Sequence, residues 1–181
     1  AGLTIQDMDA FGIVNGPGSF TGLRIGMATV KGFAQALDKP VIPISTLEAL
    51  AYNLPYADGV VCPILDAQRS QVYTGLFRFN EEEGMVAELE DSVMDIVALI
   101  GILQNYTDGP IYLLGDGVPR FYETMVEALP GIIKVKQHLS MNRASSAGTL
   151  AVERALKKQW QDFKSVEPVY IRPSYAEEQK K

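Results

Sequence analysis

The chain has 181 residues, 47% hydrophobic and 21% charged, with 16 Lys+Arg against 22 Asp+Glu for a net charge of −6. That balance is globular, one domain or two small ones, and it excludes disordered, collagen-like and low-complexity classes. One cysteine excludes a disulfide framework and one histidine excludes any site needing two, while an acidic chain lacks a general electrostatic footprint for nucleic acid.

The opening stretch, 1–9, is short and amphipathic through Leu3, Ile5 and Met8. Residues 10–14 are a short apolar run ended by Asn15-Gly16-Pro17-Gly18-Ser19, which predicts a buried strand and a turn. A helix is expected over 21–37, stopped by Asp38-Lys39-Pro40, then a strand over 41–44. Ser45 with Glu48 forms a capping-box pattern for a short helix ending near Pro55. After a linker at 55–59 the order changes. Strands are expected at 60–65, 71–79 and 85–89, the first two joined as a hairpin by Asp66-Ala67-Gln68-Arg69-Ser70. A helix follows from Ser92 to about 104, then a strand at 111–114 running into Gly115-Asp116-Gly117. Pro119 opens a helix to about 129, residues 132–136 form a strand, and 144–159 a last helix. The tail from 168 to 175 is extended by its Pro and aromatic content.

The second half therefore has the order βββαβαβα, that of a ribonuclease-H-like unit, and the first half matches the last part of the same unit. Two such units in tandem make the α/β architecture of actin, Hsp70 and sugar kinases. The expected domains are 1–56, a partial unit lacking a β-meander of roughly 40–50 residues, and 57–175, a complete unit with its tail. Residues 176–181 are expected to be disordered. No apolar run approaches the ~18 residues of a membrane span, and a reducing cytoplasm is the expected compartment.

The helix over 21–37 carries three sectors at about 100° per residue. Arg24, Ala28, Lys31, Gln35 and Asp38 make a narrow wet strip, and Leu23, Met27, Val30, Ala34 and Leu37 an apolar seam. The third sector is mostly small: Gly22, Ile25, Gly26, Thr29, Gly32, Phe33 and Ala36. Gly26 and Gly32 together cost this helix about 2 kcal/mol against alanine, a cost that close approach of another helix would offset. These seven residues are the candidate partner interface.

Chemistry is sparser. Gly16, Gly18 and Ser19, and again Gly115, Asp116 and Gly117, follow strands and precede helices, the setting of a phosphate-binding turn. Neither has the Walker spacing. Asp66, Asp116 and Glu153 occupy positions where a ribonuclease-H-like nuclease holds metal-binding carboxylates, although turn chemistry also accounts for both aspartates. His138 is a lone histidine, Cys62 a small hydrophobe inside an apolar strand, and Trp160 a packing anchor near Phe163. Ser19, Ser45 and Ser70 have no base to activate them. No catalytic residue and no metal site is assigned.

The stretches N-G-P-G-S-F-T-G-L-R-I-G-M-A-T-V-K-G-F-A from Asn15, P-I-S-T-L-E-A-L-A from Pro43 and L-D-A-Q-R-S-Q-V-Y from Leu65 closely resemble the bacterial TsaB (YeaZ) family, as do L-G-D-G from Leu114 and P-V-Y-I-R from Pro168. The resemblance implies the actin-like, Hsp70-like fold and a role in making N6-threonylcarbamoyladenosine at tRNA position 37. It implies a non-catalytic paralogue of TsaD, related by name to M22 glycoproteases, that docks to TsaD through helices of its first unit. TsaE and TsaC or TsaC2 complete the pathway. It further implies a homodimer through the same helices when alone, tRNA contact only through the complex, and no tightly bound cofactor, with ATP or ADP only at the partner interface. The helix over 21–37 lacks the histidine pair with which the catalytic paralogue holds its metal. The alternatives are an actin-like ATPase or phosphotransferase, and a ribonuclease-H-like nuclease.

Overall fold

A computed structural model describes residues 2–80 and 82–171. The chain divides into two compact units, the first from residues 1–46 and 144–181, the second from 47–143.

In the first unit, β1 (Phe11–Gly16) pairs in parallel with β2 (Val41–Ser45), and α1 (Phe20–Leu37) connects them. Ser19 caps α1 by accepting from the Gly22 N–H, and Asp38 ends it in the left-handed conformation at φ 51°. Successive residues of β1 point to opposite faces. Ile13 faces α1 and joins Met27, Ala34, Val41 and Val166 in a small core. On the other face a Cβ on Gly12 would stand 2.9 Å from the Ala151 Cβ of α5 (Ala144–Leu156). α5 also donates from Arg154 to the Pro43 carbonyl. The opening amphipathic stretch forms one 3-10 turn, Ile5–Asp7, and buries nothing.

The second unit holds a five-stranded sheet in the order β5-β4-β3-β6-β7. β3 (Val60–Asp66), β4 (Gln71–Asn80) and β5 (Gly84–Asp95) form an antiparallel meander, and β6 (Ile111–Leu114) and β7 (Ile133–Lys134) continue parallel from β3. Both faces are covered, so β3 reads as a continuous apolar run. Val60, Cys62 and Ile64 pack with Leu99 and Leu103 of α3 (Ile96–Leu103) and with Phe121 and Met125 of α4 (Val118–Ala128). Val61 on the opposite face packs with Leu47, Leu50 and Ala51 of α2 (Thr46–Ala51). Each fully buried Leu contributes about 1.5–3 kcal/mol of transfer free energy.

Four expectations shift. The helix expected from Ser92 starts at Ile96, because β5 keeps pairing with β4 up to Gln71↔Asp95 and the Asp95 carboxylate then caps Val97. The strand expected over 132–136 shrinks to two residues. The last helix ends at Leu156, where Lys158 turns left-handed at φ 57° and Gln161 pairs with Val41. The compact units break after residues 46 and 143 rather than at 56/57, because α5 packs on β1 and β2. Residues 172–181, which include the end of the expected tail and the segment 176–181, lie outside the described residues.

Candidate functional site

The α1 seam does what its period requires. Met27 and Ala34 are buried and Leu23, Val30 and Leu37 half-buried against the unit's own sheet. Most of the rest of the helix is open. Gly22, Thr29, Gly32 and Ala36 are exposed, with Ile25 63% and Phe33 43% exposed. Six of the seven expected interface residues thus share solvent-exposed surface. Gly26 is half-buried instead, and a Cβ there would touch the Ile13 Cδ1 at 4.0 Å. A Cβ on Gly32 would meet nothing within 4 Å. Ile25 and Phe33 are thus large apolar side chains exposed beside glycines, with the Phe33 ring 5.9 Å from that of Phe11.

One part of this surface escaped the sequence. The Arg24 guanidinium lies 3.8 Å from the Phe20 ring centroid and donates from Nε to the Tyr170 hydroxyl at 3.1 Å. The Phe20 and Tyr170 rings are 5.1 Å apart. The Val169 N–H donates to the Asn15 carbonyl, and Asn15 Nδ2 to the Glu167 carbonyl, so the segment 167–169 is tied to the end of β1. The only signal for this cluster was the aromatic content of P-V-Y-I-R; periodicity cannot connect residues so far apart in the chain.

The two glycine turns lie in different units. In the first, Gly16 sits at φ 133° and a Cβ there would stand 2.4 Å from the Val169 carbonyl oxygen. The Ser19 hydroxyl is already used by the Gly22 N–H. In the second, Gly115 N–H donates to Ser140 Oγ at 2.6 Å, Gly117 N–H to the Ile64 carbonyl and Val118 N–H to the Gly115 carbonyl. Pro119 has no N–H, and Arg120 N–H donates to Gly117. A phosphate cradle needs backbone donors aimed outward; in the second turn the Gly115, Gly117 and Val118 donors are spent inside the protein.

Asp66 and Asp116 do meet, the Asp66 N–H donating to Asp116 Oδ1 at 3.1 Å. Arg120 then takes both Asp66 oxygens, at 3.0 and 2.9 Å. A fixed guanidinium sits where two-metal chemistry would need a cation. Glu153 belongs to the other unit. Among the described residues no group of three or more His, Cys, Asp or Glu is placed to hold a metal. His138 is exposed in a 3-10 turn.

Cys62 is fully buried against Thr74, and burial pushes its thiol up to about 12. Only the thiolate reacts. In the folded chain Cys62 is therefore expected to resist maleimide or a disulfide reagent at pH 8, and to react fully once denaturant unfolds the second unit. Rapid labelling of the native protein would contradict this packing.

Residues 1–180 match a family model described as TsaD, tRNA N6-adenosine threonylcarbamoyltransferase. The Bacillus subtilis protein called tRNA threonylcarbamoyladenosine biosynthesis protein TsaB is 33% identical over 177 residues, covering 95% of this chain and 73% of that protein. The Escherichia coli TsaB is 25% identical over 178 residues, covering 97% of this chain and 76% of that one. The solved structure of YeaZ from Pseudomonas aeruginosa superposes with a TM-score of 0.78 at 25% identity, covering 93% of this chain and 76% of that chain.

Proposed function

The chain belongs to the TsaB/YeaZ family, and from that premise we propose that it serves in threonylcarbamoyladenosine synthesis on tRNA as a non-catalytic partner of TsaD. The observation that carries the reading is the α1 face: Ile25 and Phe33 exposed beside Gly22, Gly32 and Ala36. A helix of the partner can approach the backbone at the glycines, with Ile25 and Phe33 as apolar anchors at the centre. Alone, the same surface would bring two copies together. TsaE joins the assembly through TsaD in this scheme, tRNA is reached through the complex, and ATP or ADP has a place only where the two proteins meet. The tandem ribonuclease-H-like architecture, with a first unit built on β1, α1 and β2, belongs to the same proposal.

The test is reconstitution. Titrating the chain into purified TsaD, followed by analytical ultracentrifugation, is expected to give a defined complex. Adding it to TsaD, TsaE, ATP, tRNA and threonylcarbamoyl-adenylate is expected to raise modified adenosine well above the level without it. Sedimentation of two independent species at micromolar concentration would overturn the partnership.

A further inference from the structure

The net charge of −6 conceals two units of opposite sign. Residues 1–46 and 144–181 hold 10 Lys+Arg against 8 Asp+Glu, net +2; residues 47–143 hold 6 against 14, net −8. Four of the ten, Lys39, Lys157, Lys158 and Lys164, lie within four residues of the backbone pairing of Gln161 with Val41. After α5 the chain turns at Lys158 (φ 57°) and runs back so that Gln161 and Val41 exchange backbone hydrogen bonds of 2.8 and 2.9 Å. In this antiparallel pairing exposed Lys164 falls on the same side of the bridge as half-buried Lys39, and exposed Lys157 and Lys158 fall on the other side. Trp160 lies among them, 45% exposed. Lys164 Nζ lies 5.5 Å from the Phe163 ring centroid. The acidic residues of this stretch are Asp38 and Asp162, and the Asp162 carboxylate already accepts the Lys164 N–H at 2.7 Å.

Four lysines around an exposed indole match the chemistry of single-stranded nucleic acid: ammonium groups neutralise phosphates while a base stacks on the aromatic face. Val152 and Leu156 of α5, 60% and 81% exposed, lie just before these lysines, but an apolar protein partner or a lipid surface would also have to meet the charged groups around the indole. We propose that the surface around this pairing is a contact surface for single-stranded RNA, with Lys39, Lys157, Lys158 and Lys164 on the backbone and Trp160 under a base. The inference rests on the tRNA-modification reading and deepens it, since there RNA was reached only through the complex.

The chain's single tryptophan reports on the patch directly. Titrating the full chain with a short oligouridylate is expected to quench Trp160 fluorescence. Anisotropy of the labelled oligouridylate is expected to give an affinity that falls with salt with a log–log slope of about −3, from about −0.7 for each of four neutralised phosphates. Lys157→Gln/Lys158→Gln is expected to halve that slope and weaken binding about tenfold at low salt. Lys134→Gln/Lys136→Gln in the second unit is expected to change neither. An unchanged slope in the first variant, or an unquenched Trp160, overturns the proposal. So does polyglutamate that displaces the oligouridylate as well as a second oligouridylate does, since the patch would then be one for acidic protein. The two readings fail separately. If Lys157→Gln/Lys158→Gln binds TsaD normally but keeps its RNA affinity, only this inference falls. If the chain ignores TsaD yet binds RNA through the lysines, only the partnership falls.

Discussion

A Gly115→Ala variant is expected to lose about 2–6 kcal/mol of stability in the second unit. Gly115 sits at φ 111°, and a Cβ there would stand 2.2 Å from the Ile64 carbonyl oxygen and 3.0 Å from its carbon. Backbone strain for a non-glycine residue in that region is about 1–3 kcal/mol, and forcing the backbone of β3 away adds about 1–3 kcal/mol of overpacking. A domain of this size has about 5–15 kcal/mol in total, so the variant stands near the limit of folding. Urea denaturation checks it: with a slope of about 1–3 kcal/mol/M, the midpoint should fall by one to several molar. Gly131→Ala separates the two causes. Gly131 also has positive φ, 97°, but nothing lies within 4 Å of its Cβ position. It should lose only the strain. Equal losses at both positions would refute the argument from close approach to β3.

An Ile25→Glu variant is expected to weaken association with TsaD at least 30-fold while leaving the chain's own stability within about 0.5 kcal/mol. Central interface anchors cost 2 kcal/mol or more when truncated, about 30-fold, and a carboxylate buried in the contact costs further. Ile25 points away from the unit's core, so its replacement removes little from the fold. Phe33→Glu should behave similarly, with an added stability cost because its ring lies 5.9 Å from that of Phe11. Gly32→Ala gives the sharper reading, because the fold and the partner respond with opposite signs. With open space around its Cβ it should stabilise the free chain by about 0.8–1 kcal/mol, yet hold a docking helix away. Isothermal titration against TsaD, run beside thermal denaturation, measures both. Undiminished binding of Ile25→Glu and Gly32→Ala together would remove α1 from the interface.

The legible parts of this protein were those governed by local periodicity. α1 announced itself by a seam of Leu23, Met27, Val30, Ala34 and Leu37, and its open sector by residues too small to cover anything. The order βββαβ of the second unit followed from apolar runs between turn residues. What failed was whatever depended on a distant strand. β5 runs to Asp95 because ten-residue β4 offers it partners, although Ser92 looks like a helix start. The donors of Gly115 and Gly117 looked free in the sequence and are consumed by Ser140 and Ile64.

By itself, then, the amino-acid sequence determined the elements, the family resemblance and the absence of a histidine pair, because these reside in neighbouring residues and in composition. Only the tertiary structure decided which unit owns α5 and the lysines that follow it. That assignment depends on Gly12 admitting Ala151 and on Gln161 pairing with Val41, contacts between residues far apart in the chain. It also changes the meaning of the charge. A net of −6 summed over the chain describes no surface, since an electrostatic field is felt only within about a Debye length, roughly 8–10 Å at moderate salt. Divided as the fold divides it, the same count becomes one basic unit and one strongly acidic one.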